Sequence, residues 1–186
     1  MDVLTLEQLR RIMPHASEAR AGEFLDPLNG TLKEFDLLPD QRAACFLAQL
    51  AHESGSLLYV RELASGEAYE GRADLGNTQP GDGVRFKGRG LIQITGRTNY
   101  DRCGQGLGVD LIAQPEQLET PVLAARSAGW FWGSHHLNDL ADAGDFRGLT
   151  RRINGGYNGL ADRFDFYCRA RAEFGLPAVT PDSVGL

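Results

Sequence analysis

The sequence predicts a mainly α-helical domain with a small hairpin or loop region beside one long helix. Over much of the chain, apolar residues recur at the three-and-four spacing of a buried helix face. Residues 66–90 break this pattern, because Gly, Asp, Asn, Thr and Pro crowd that segment. Helices that enclose one polar loop region form a single core, so we expect one domain over residues 1–178.

The predicted domain divides into an N-terminal helical part at 1–39 and a core at 40–178. The tail, 179–186, is expected to fray. With 186 residues, 42% of them hydrophobic and 24% charged, the chain has the size and composition of an ordinary globular domain.

Capping residues and prolines predict the first two helices. Thr5, followed three positions later by Gln8, resembles a capping box for a helix that Pro14 closes. A second helix is expected to begin near Ser17 and to be interrupted by Pro27, because proline removes a hydrogen bond from a helix interior.

The clearest predicted helix runs from about Asp40 to Ser54. Pro39 ends the preceding segment, Asp40 can cap the helix, and Gly55 is a natural terminator. Its apolar residues form one buried face: Ala43, Phe46, Leu47, Leu50 and Ala51.

The rest of the chain alternates a long loop with further helices. The 66–90 segment holds at most a short hairpin, and loops of this length inside a compact domain are usually functional. Residues 91–95 fit either a short strand or a helix entry. Helical patterns then return in four segments, at 97–106, 121–133, 145–153 and 159–174.

Charge and apolar patterning argue against two classes of partner. The net charge of −6 disfavours nucleic acid, whose binding depends on a basic surface. No window holds the roughly 18 apolar residues of a membrane-spanning helix, and the N-terminus lacks the order of a signal peptide, so we expect synthesis in the cytoplasm. The three cysteines are scattered and odd in number, so we expect buried reduced thiols at Cys45, Cys103 and Cys168.

Two consecutive segments carry opposite charge. Residues 62–82 hold five acids and one Arg, and residues 84–102 hold five bases and one Asp. These segments either attract one another or line opposite walls of a polar cleft.

Glu53 is the first candidate for catalysis. It ends an otherwise apolar helix, where the negative end of the helix dipole and burial both disfavour an ionised carboxyl. A carboxylic acid held neutral is what protonation of a glycosidic oxygen requires. The alternative is an ordinary solvated glutamate at a helix end.

A glycosidase generally needs a second carboxylate across the bond that it cleaves. In a continuous helix Glu62 would lie about 13.5 Å along the axis from Glu53 and on the other side. A break at residues 54–55 removes that obstacle, because the chain can then turn back. Three other acids in this stretch have suitable positions, and spacing does not choose among them: Glu67, Glu70 and Asp74.

The histidines do not form a recognisable metal motif. After His52 and Glu53, the zinc-protease pattern requires a second His at the position that Ser56 occupies. His135 and His136 are adjacent and diverge on a helix. We therefore expect no metal and no cofactor, and we expect His52 to make a structural hydrogen bond under the acid.

Short polar side chains cluster around the glycines after residue 86. Gln93, Thr95 and Asn99 stand in an apolar setting, as do Asn154 and Asn158 around two further glycines. Amides and hydroxyls of this kind bind sugars and hold water, but they are also typical of turns.

Together these segments resemble the family 19 glycoside hydrolases, the group of plant-type chitinases and phage or bacterial endolysins. The resemblance covers residues 41–175. FLAQLAHESG at 46–55 is similar to the segment with the family's general acid, and YVREL at 59–63 to the segment with its second acid. FKGRGLIQITGRTNY at 86–100 is the most specific match.

The resemblance implies a lysozyme-like α+β fold and a role for individual residues. Glu53 would be the general acid, Glu62 the base that activates water in this inverting family, and Thr95 would help to hold that water. The substrate-binding residues implied are His52, Gln93, Asn99, Tyr100, Asn154 and Arg163. SAGWFW at 127–132 resembles the family's buried aromatic helix.

The loop at 67–83 resembles the endolysin branch, for which peptidoglycan is the expected substrate. The disulfide-bearing loops of the plant enzymes are absent, so the groove should be shorter. The resemblance implies that a separate pore protein, a holin, releases the enzyme from the host cytoplasm to the wall in the periplasm. Nothing in the sequence requires more than a monomer. The alternatives are a chitinase and a non-catalytic wall-binding or virion protein.

Overall fold

The computed structural model describes residues 4–185, which are largely helical. Residues 1–3 and 186, parts of the predicted domain and tail, lie outside the described residues. Between residues 4 and 185 the chain forms nine α-helices: α1 Leu6–Ile12, α2 Glu18–Glu34, α3 Asp40–Glu53, α4 Asp82–Arg85, α5 Arg97–Leu107, α6 Pro121–Ser134, α7 Leu137–Asp142, α8 Phe146–Asn154 and α9 Leu160–Glu173.

Helix α3 forms the centre of the main core. Every residue from 43 to 51 is buried, so the helix is covered on all sides rather than on one face. Helix α9 packs along α3, and α2 packs against α6. A second, smaller core lies under α5 and is built around Phe86, Tyr100 and Leu118.

The first two helices confirm one prediction and correct another. Thr5 and Gln8 form the expected capping box. Helix α2, however, continues through Pro27 without interruption. Burial of Phe24 and Leu28 stabilises the helix on both sides of the proline and outweighs the hydrogen bond that the proline removes.

Helix α3 begins and ends almost where the sequence predicted. Pro39 occupies the N-cap position, and no side chain caps this end, so the expected cap from Asp40 is wrong. Ser54 is the C-cap and Gly55 has a φ of +57°. Glycine adopts this left-handed conformation without the steric cost of a Cβ atom, which explains the helix end.

The expected hairpin region contains only two isolated bridges, Arg61 with Arg89 and Arg89 with Ile94. The 66–90 segment is instead a compact loop with single 3₁₀ turns at Glu67–Tyr69 and Ala73–Leu75 and the short helix α4. The mainly helical, lysozyme-like prediction is confirmed, with less β-structure than expected.

Three smaller details also differ from the predictions. Helix α7 has no counterpart among the predicted helices. The tail forms a 3₁₀ turn at Pro181–Val184, with Val184 buried in the core, so it does not fray there. Cys45 and Cys103 are buried free thiols, whereas Cys168 is only partly buried.

In the described part of the chain, no helix is long and apolar enough to cross a membrane.

Candidate active site

The break after α3 is fixed by the Ser54 side chain. Its hydroxyl donates to the Leu50 carbonyl at 2.7 Å and accepts the Leu57 N–H at 2.8 Å. The chain therefore leaves the helix axis directly after Glu53. This is the turn that the sequence required if Glu62 was to return toward Glu53.

Glu53 contacts a buried arginine at the end of α3. Its Oε1 lies 2.6 Å from Nη2 of Arg163 on α9, in an ion pair whose atoms are out of line for a hydrogen bond. Arg163 is only 1% exposed. The sequence did not predict this ion pair, which places a buried guanidinium directly against the Glu53 carboxyl.

The prediction that Arg163 binds the substrate is therefore wrong. A side chain that is fully covered by protein is unable to contact a glycan. Its guanidinium also donates to Oε1 of Gln49 at 2.6 Å, and Nε2 of Gln49 donates to Oγ1 of Thr150 at 3.0 Å. Arg163 thus supports the acid from behind.

Glu62 is held by reciprocal hydrogen bonds with Gly88. The Glu62 N–H donates to the Gly88 carbonyl at 3.0 Å, and the Gly88 N–H donates to Oε2 of Glu62 at 2.7 Å. The Tyr69 hydroxyl lies within hydrogen-bonding reach of the same carboxylate. Partial burial, and next the charge of Glu62, raise the pKa of Tyr69.

Three side-chain oxygens converge around Gly88. A Cβ atom added to this glycine would lie 2.7 Å from Oε1 of Gln93, 2.7 Å from Oε2 of Glu62 and 3.3 Å from Oγ1 of Thr95. Only a residue without a side chain leaves room for this group. The structure therefore brings together one predicted acid and two predicted polar residues.

The other acids in the loop have different partners. Glu70 accepts the N–H groups of Gly81 and Gly83 at 2.7 and 2.8 Å, and so fixes the loop. Asp74 is exposed and pairs with Arg72. Glu67 is exposed at the start of a 3₁₀ turn. Glu62 is thus the acid of this stretch that lies with the polar cluster.

Hydrogen bonds to the backbone order Gln93, Thr95 and Asn99. Gln93 has a φ of +57° and its Nε2 donates to the Gly90 carbonyl at 3.0 Å. Thr95 Oγ1 donates to the Gln93 carbonyl at 2.9 Å, and Asn99 Nδ2 donates to the Thr95 carbonyl at 2.7 Å. The Thr95 hydroxyl proton and one N–H of each amide are thereby engaged, and the side-chain oxygens remain as acceptors.

A cavity of about 200 Å³ opens beside these residues. Three of its lining residues, Gln93, Thr95 and Asn99, were predicted as site residues, and its ring-bearing side chains were not. Trp130, Phe131 and His135 line it, with the His135 ring stacked on Phe131 at a centroid distance of 3.9 Å. Of the three aromatic residues in the expected buried aromatic helix, Trp132 alone is buried, whereas Trp130 and Phe131 are partly exposed.

Tyr100 lies outside the cavity wall, which corrects its predicted contact with substrate. The residue is 0% exposed, and its hydroxyl donates to the Lys87 carbonyl at 2.5 Å and accepts from Arg89 at 3.0 Å. Burial raises the pKa of its phenol, which stays neutral. Tyr100 therefore holds the 87–89 backbone beneath the site.

His52 lies in the last turn of α3, and Asn154 is the last residue of α8. Nδ1 of His52 lies 2.6 Å from Oδ2 of Asp162, beside the Gly159 turn rather than under the acid. Asn154 is exposed at the end of α8. No contact places either residue with the cluster around Gly88, so their binding roles stay predictions.

The oppositely charged segments attract one another at one buried point. Arg97 contacts both carboxylate oxygens of Asp82, at 2.9 and 2.6 Å, and Asp82 is 1% exposed. The Arg97 guanidinium holds the pKa of Asp82 below its usual range. This pair fastens the acidic loop to the start of α5.

Glu53 at the end of α3, and Glu62 beside ordered acceptors and close to the aromatic-walled cavity, are the two candidate groups for acid–base chemistry. Inverting glycosidases use such a pair, one residue to protonate the leaving oxygen and one to activate water. On a lysozyme-like helical fold, these features define a glycoside hydrolase.

Comparison with known proteins identifies the family. The family model described as chitinase class I matches residues 39–141, more than half of the chain. The chain belongs to glycoside hydrolase family 19. A Haemophilus influenzae protein described as a glycosyl hydrolase family 19 domain-containing protein is 29% identical over 189 residues, covering 84% of this chain and 90% of that protein.

Plant relatives agree with this assignment, and solved structures agree with the fold. An Arabidopsis thaliana endochitinase is 40% identical over 114 residues, and the match spans 61% of this chain but 39% of the endochitinase. Chitinase C from Streptomyces griseus superposes with a TM-score of 0.76 at 24% identity, over 96% of this chain and 79% of that chain. A bacterial family 19 chitinase also gives 0.76, over 98% of its chain. These two structures support the fold.

Proposed function

We propose that this protein is an endolysin-type enzyme that cleaves the β-1,4 bond between N-acetylmuramic acid and N-acetylglucosamine in peptidoglycan, with inversion. The observation that carries the proposal is the convergence of Glu62, Gln93 and Thr95 around Gly88, beyond the helix end that carries Glu53. This arrangement supplies an acid, a base and ordered acceptors for water.

Glu53 protonates the leaving oxygen while Glu62 removes a proton from the attacking water. The Thr95 hydroxyl already donates to the Gln93 carbonyl, so it accepts from the water. The water then donates one proton toward Glu62 and the other toward Thr95. Its lone pair is thereby directed at the anomeric carbon, on the face opposite the leaving group.

Inversion requires space for a water molecule between the base and the sugar. Carboxyl groups in inverting glycosidases stand about 6.5–9.5 Å apart, whereas those in retaining enzymes stand about 5 Å apart. We expect the wider separation between Glu53 and Glu62. Accumulation of a covalent glycosyl-enzyme during turnover would instead indicate a retaining mechanism.

Peptidoglycan is proposed as the substrate because the 67–83 loop resembles the endolysin branch. This loop is rigidly built, with Glu70 and Asp82 each accepting backbone or side-chain hydrogen bonds within it. Chitin is the second candidate, and the endochitinases among the relatives favour it. The reaction would be the same, and only accommodation of the lactyl group separates the two substrates.

The proposed biological setting is lysis of a bacterial cell from within. The enzyme is made in the host cytoplasm as a monomer, and a separate holin gives it access to the wall in the periplasm. Expression of the chain in Escherichia coli with and without a holin tests this setting. Lysis that is independent of the holin would contradict it.

The decisive experiment is mass spectrometry of digested peptidoglycan, run beside chitin oligomers. N-acetylmuramic acid at the new reducing ends supports the proposal, N-acetylglucosamine ends contradict the bond assignment, and turnover of chitin alone favours the chitinase. Glu53→Gln is the matched inactive variant. Hydrolysis that survives unchanged in Glu53→Gln would show that Glu53 is not the acid, whereas no hydrolysis by the wild type would support the non-catalytic wall-binding alternative.

A further inference from the structure

Two glutamine–arginine contacts join α3 to α9, the first part-buried and the second buried. Near the start of α3, Oε1 of Gln41 accepts from Nη1 of Arg171 at 2.5 Å. Two turns further on, Oε1 of Gln49 accepts from Nη1 of Arg163 at 2.6 Å. The two contacts have the same chemistry, but only the second arginine also reaches a carboxylate.

Gln49 and Glu53 are four residues apart and therefore lie on the same face of α3. The Arg163 guanidinium spans them, with Nη1 on Gln49 and Nη2 on Glu53. Gln49 and Arg163 are each 1% exposed. Water is thus excluded from the arginine, and protein groups alone determine where its charge acts.

Thr150 fixes which way the Gln49 amide faces. Nε2 of Gln49 donates to Oγ1 of Thr150, which leaves the amide oxygen directed at Arg163. A reversed amide would place its N–H groups against the guanidinium, where neither side has an acceptor. Thr150 is 0% exposed, so this orientation is locked inside the protein.

We propose that Gln49, locked by Thr150, is a positioning residue that acts on Glu53 through Arg163. Because the Gln49 amide oxygen is a neutral acceptor, it orients the guanidinium without forming an ion pair with it. The full positive charge is left to Glu53, and this sets the alkaline limit of activity. The inference rests on the proposed role of Glu53 as the general acid.

Other charged groups lie on the elements that carry Glu53, Arg163 and Thr150, or on the loop after α3. His52 and Asp162 pair with one another, Glu62 lies on the loop after α3, and Arg151 and Arg152 are exposed on α8. A change at Gln49 leaves all five in place. Any shift in the pH profile then reports on how the Arg163 guanidinium is shared between residue 49 and Glu53.

Gln49→Glu provides the test, because the new carboxylate competes with Glu53 for the same guanidinium. Glu53 then keeps its proton to a higher pH, and the alkaline limb of the kcat/KM profile should move up by about 0.5–1 pH unit. The acid limb, which belongs to the base, should stay in place. A purely structural role for Gln49 would lower activity without moving one limb.

Gln41→Glu is the matched control. It makes the same substitution in the same helix pair, about 18 Å along the axis from Glu53. Its profile should superpose on that of the wild type. If both variants move the alkaline limb equally, or if neither moves it, the inference is overturned.

If Gln49→Glu fails to fold, a second pair of variants tests the hydrogen bond by which Thr150 orients the Gln49 amide. Thr150→Val removes the acceptor at nearly constant volume, and kcat should fall about 3- to 10-fold with KM unchanged. Thr150→Ser should restore it. Wild-type kcat in Thr150→Val would overturn the inference, whereas activity that survives in Glu53→Gln would instead overturn the proposed function.

Discussion

The Glu62 carboxylate and the Gly88 backbone bind one another in both directions. Oε2 of Glu62 accepts the Gly88 N–H at 2.7 Å, and the Glu62 N–H donates to the Gly88 carbonyl at 3.0 Å. A side chain on an irregular loop is thereby held to a fixed partner. This ordering is what a base that must meet a single water molecule requires.

Gly88→Ala should abolish most activity while the protein stays folded. The added methyl group would meet oxygens of Glu62 and Gln93 at 2.7 Å, which forces both side chains to move. A misplacement of about 1 Å costs on the order of 100-fold in rate, so we expect a fall in kcat of that size. Steady-state kinetics on a soluble glycan measure it.

Gly22→Ala is the control for this glycine substitution. Gly22 is exposed in α2, and an added Cβ atom meets nothing within 4 Å. Its activity should equal that of the wild type, and its helix should be slightly more stable. Full activity of Gly88→Ala would contradict the geometry described for the cluster.

Glu62→Gln should remove the base and keep the fold. The amide oxygen still accepts from Gly88, so the loop stays ordered, but the side chain no longer takes a proton from water. We expect kcat to fall about 10²- to 10⁴-fold, with a smaller change in KM. Glu67→Gln, at an exposed acid of the same loop, should stay fully active. If Glu67→Gln lost activity and Glu62→Gln kept it, Glu67 and not Glu62 would be the base.

Helices whose signals lie within the helix or next to it were predicted well, whereas features that depend on packing against distant parts of the sequence were not. Helix α3 was predictable because its cap, apolar spacing and terminating glycine all lie within the helix or next to it. The uninterrupted path of α2 through Pro27 was not, because it depends on packing against α6, a distant part of the sequence. Helix α7 is only six residues long and offers too few turns for a periodic signal.

The site was predicted in its residues but not in their arrangement. The resemblance to the family 19 motifs indicated Glu53 and Glu62, yet it also implied that Arg163 binds the substrate. Arginine is almost never fully buried unless it is paired, and its pairing with Glu53 joins two helices far apart in sequence. Trp130 was missed because an aromatic run looks like core whether or not one ring faces a cavity.

Thr95→Val tests whether the hydroxyl holds the attacking water. The change is nearly isosteric, but it removes both the acceptor and the bond to the Gln93 carbonyl. We expect kcat to fall about 10-fold or more, since one hydrogen bond is lost at the reacting centre. Thr95→Ser keeps the hydroxyl and should retain most activity. If the serine variant is as slow as the valine variant, packing of the methyl group is what matters at this position.

The Asp82–Arg97 pair makes one contribution to stability that depends on pH. Arg97 lowers the pKa of the buried Asp82 below its unfolded value near 3.8. The contribution is therefore present above that value and is lost as the pH falls through the lower, folded pKa. Asp82→Asn should reduce the free energy of unfolding at pH 7 by about 1–3 kcal/mol, and the difference from the wild type should narrow near pH 2–3.

Asp74→Asn is the matched control for this acid dependence. Asp74 pairs with Arg72 in the same loop, and Arg72 likewise lowers its pKa, but both side chains are exposed. Solvent screens such a pair, so the substitution should barely change stability at any pH. Urea unfolding of the wild type and both variants at pH 7 and pH 3 measures the difference. A gap between wild type and Asp82→Asn that stays constant with pH would show that Asp82 stabilises the loop through packing and backbone contacts, and not through its charge.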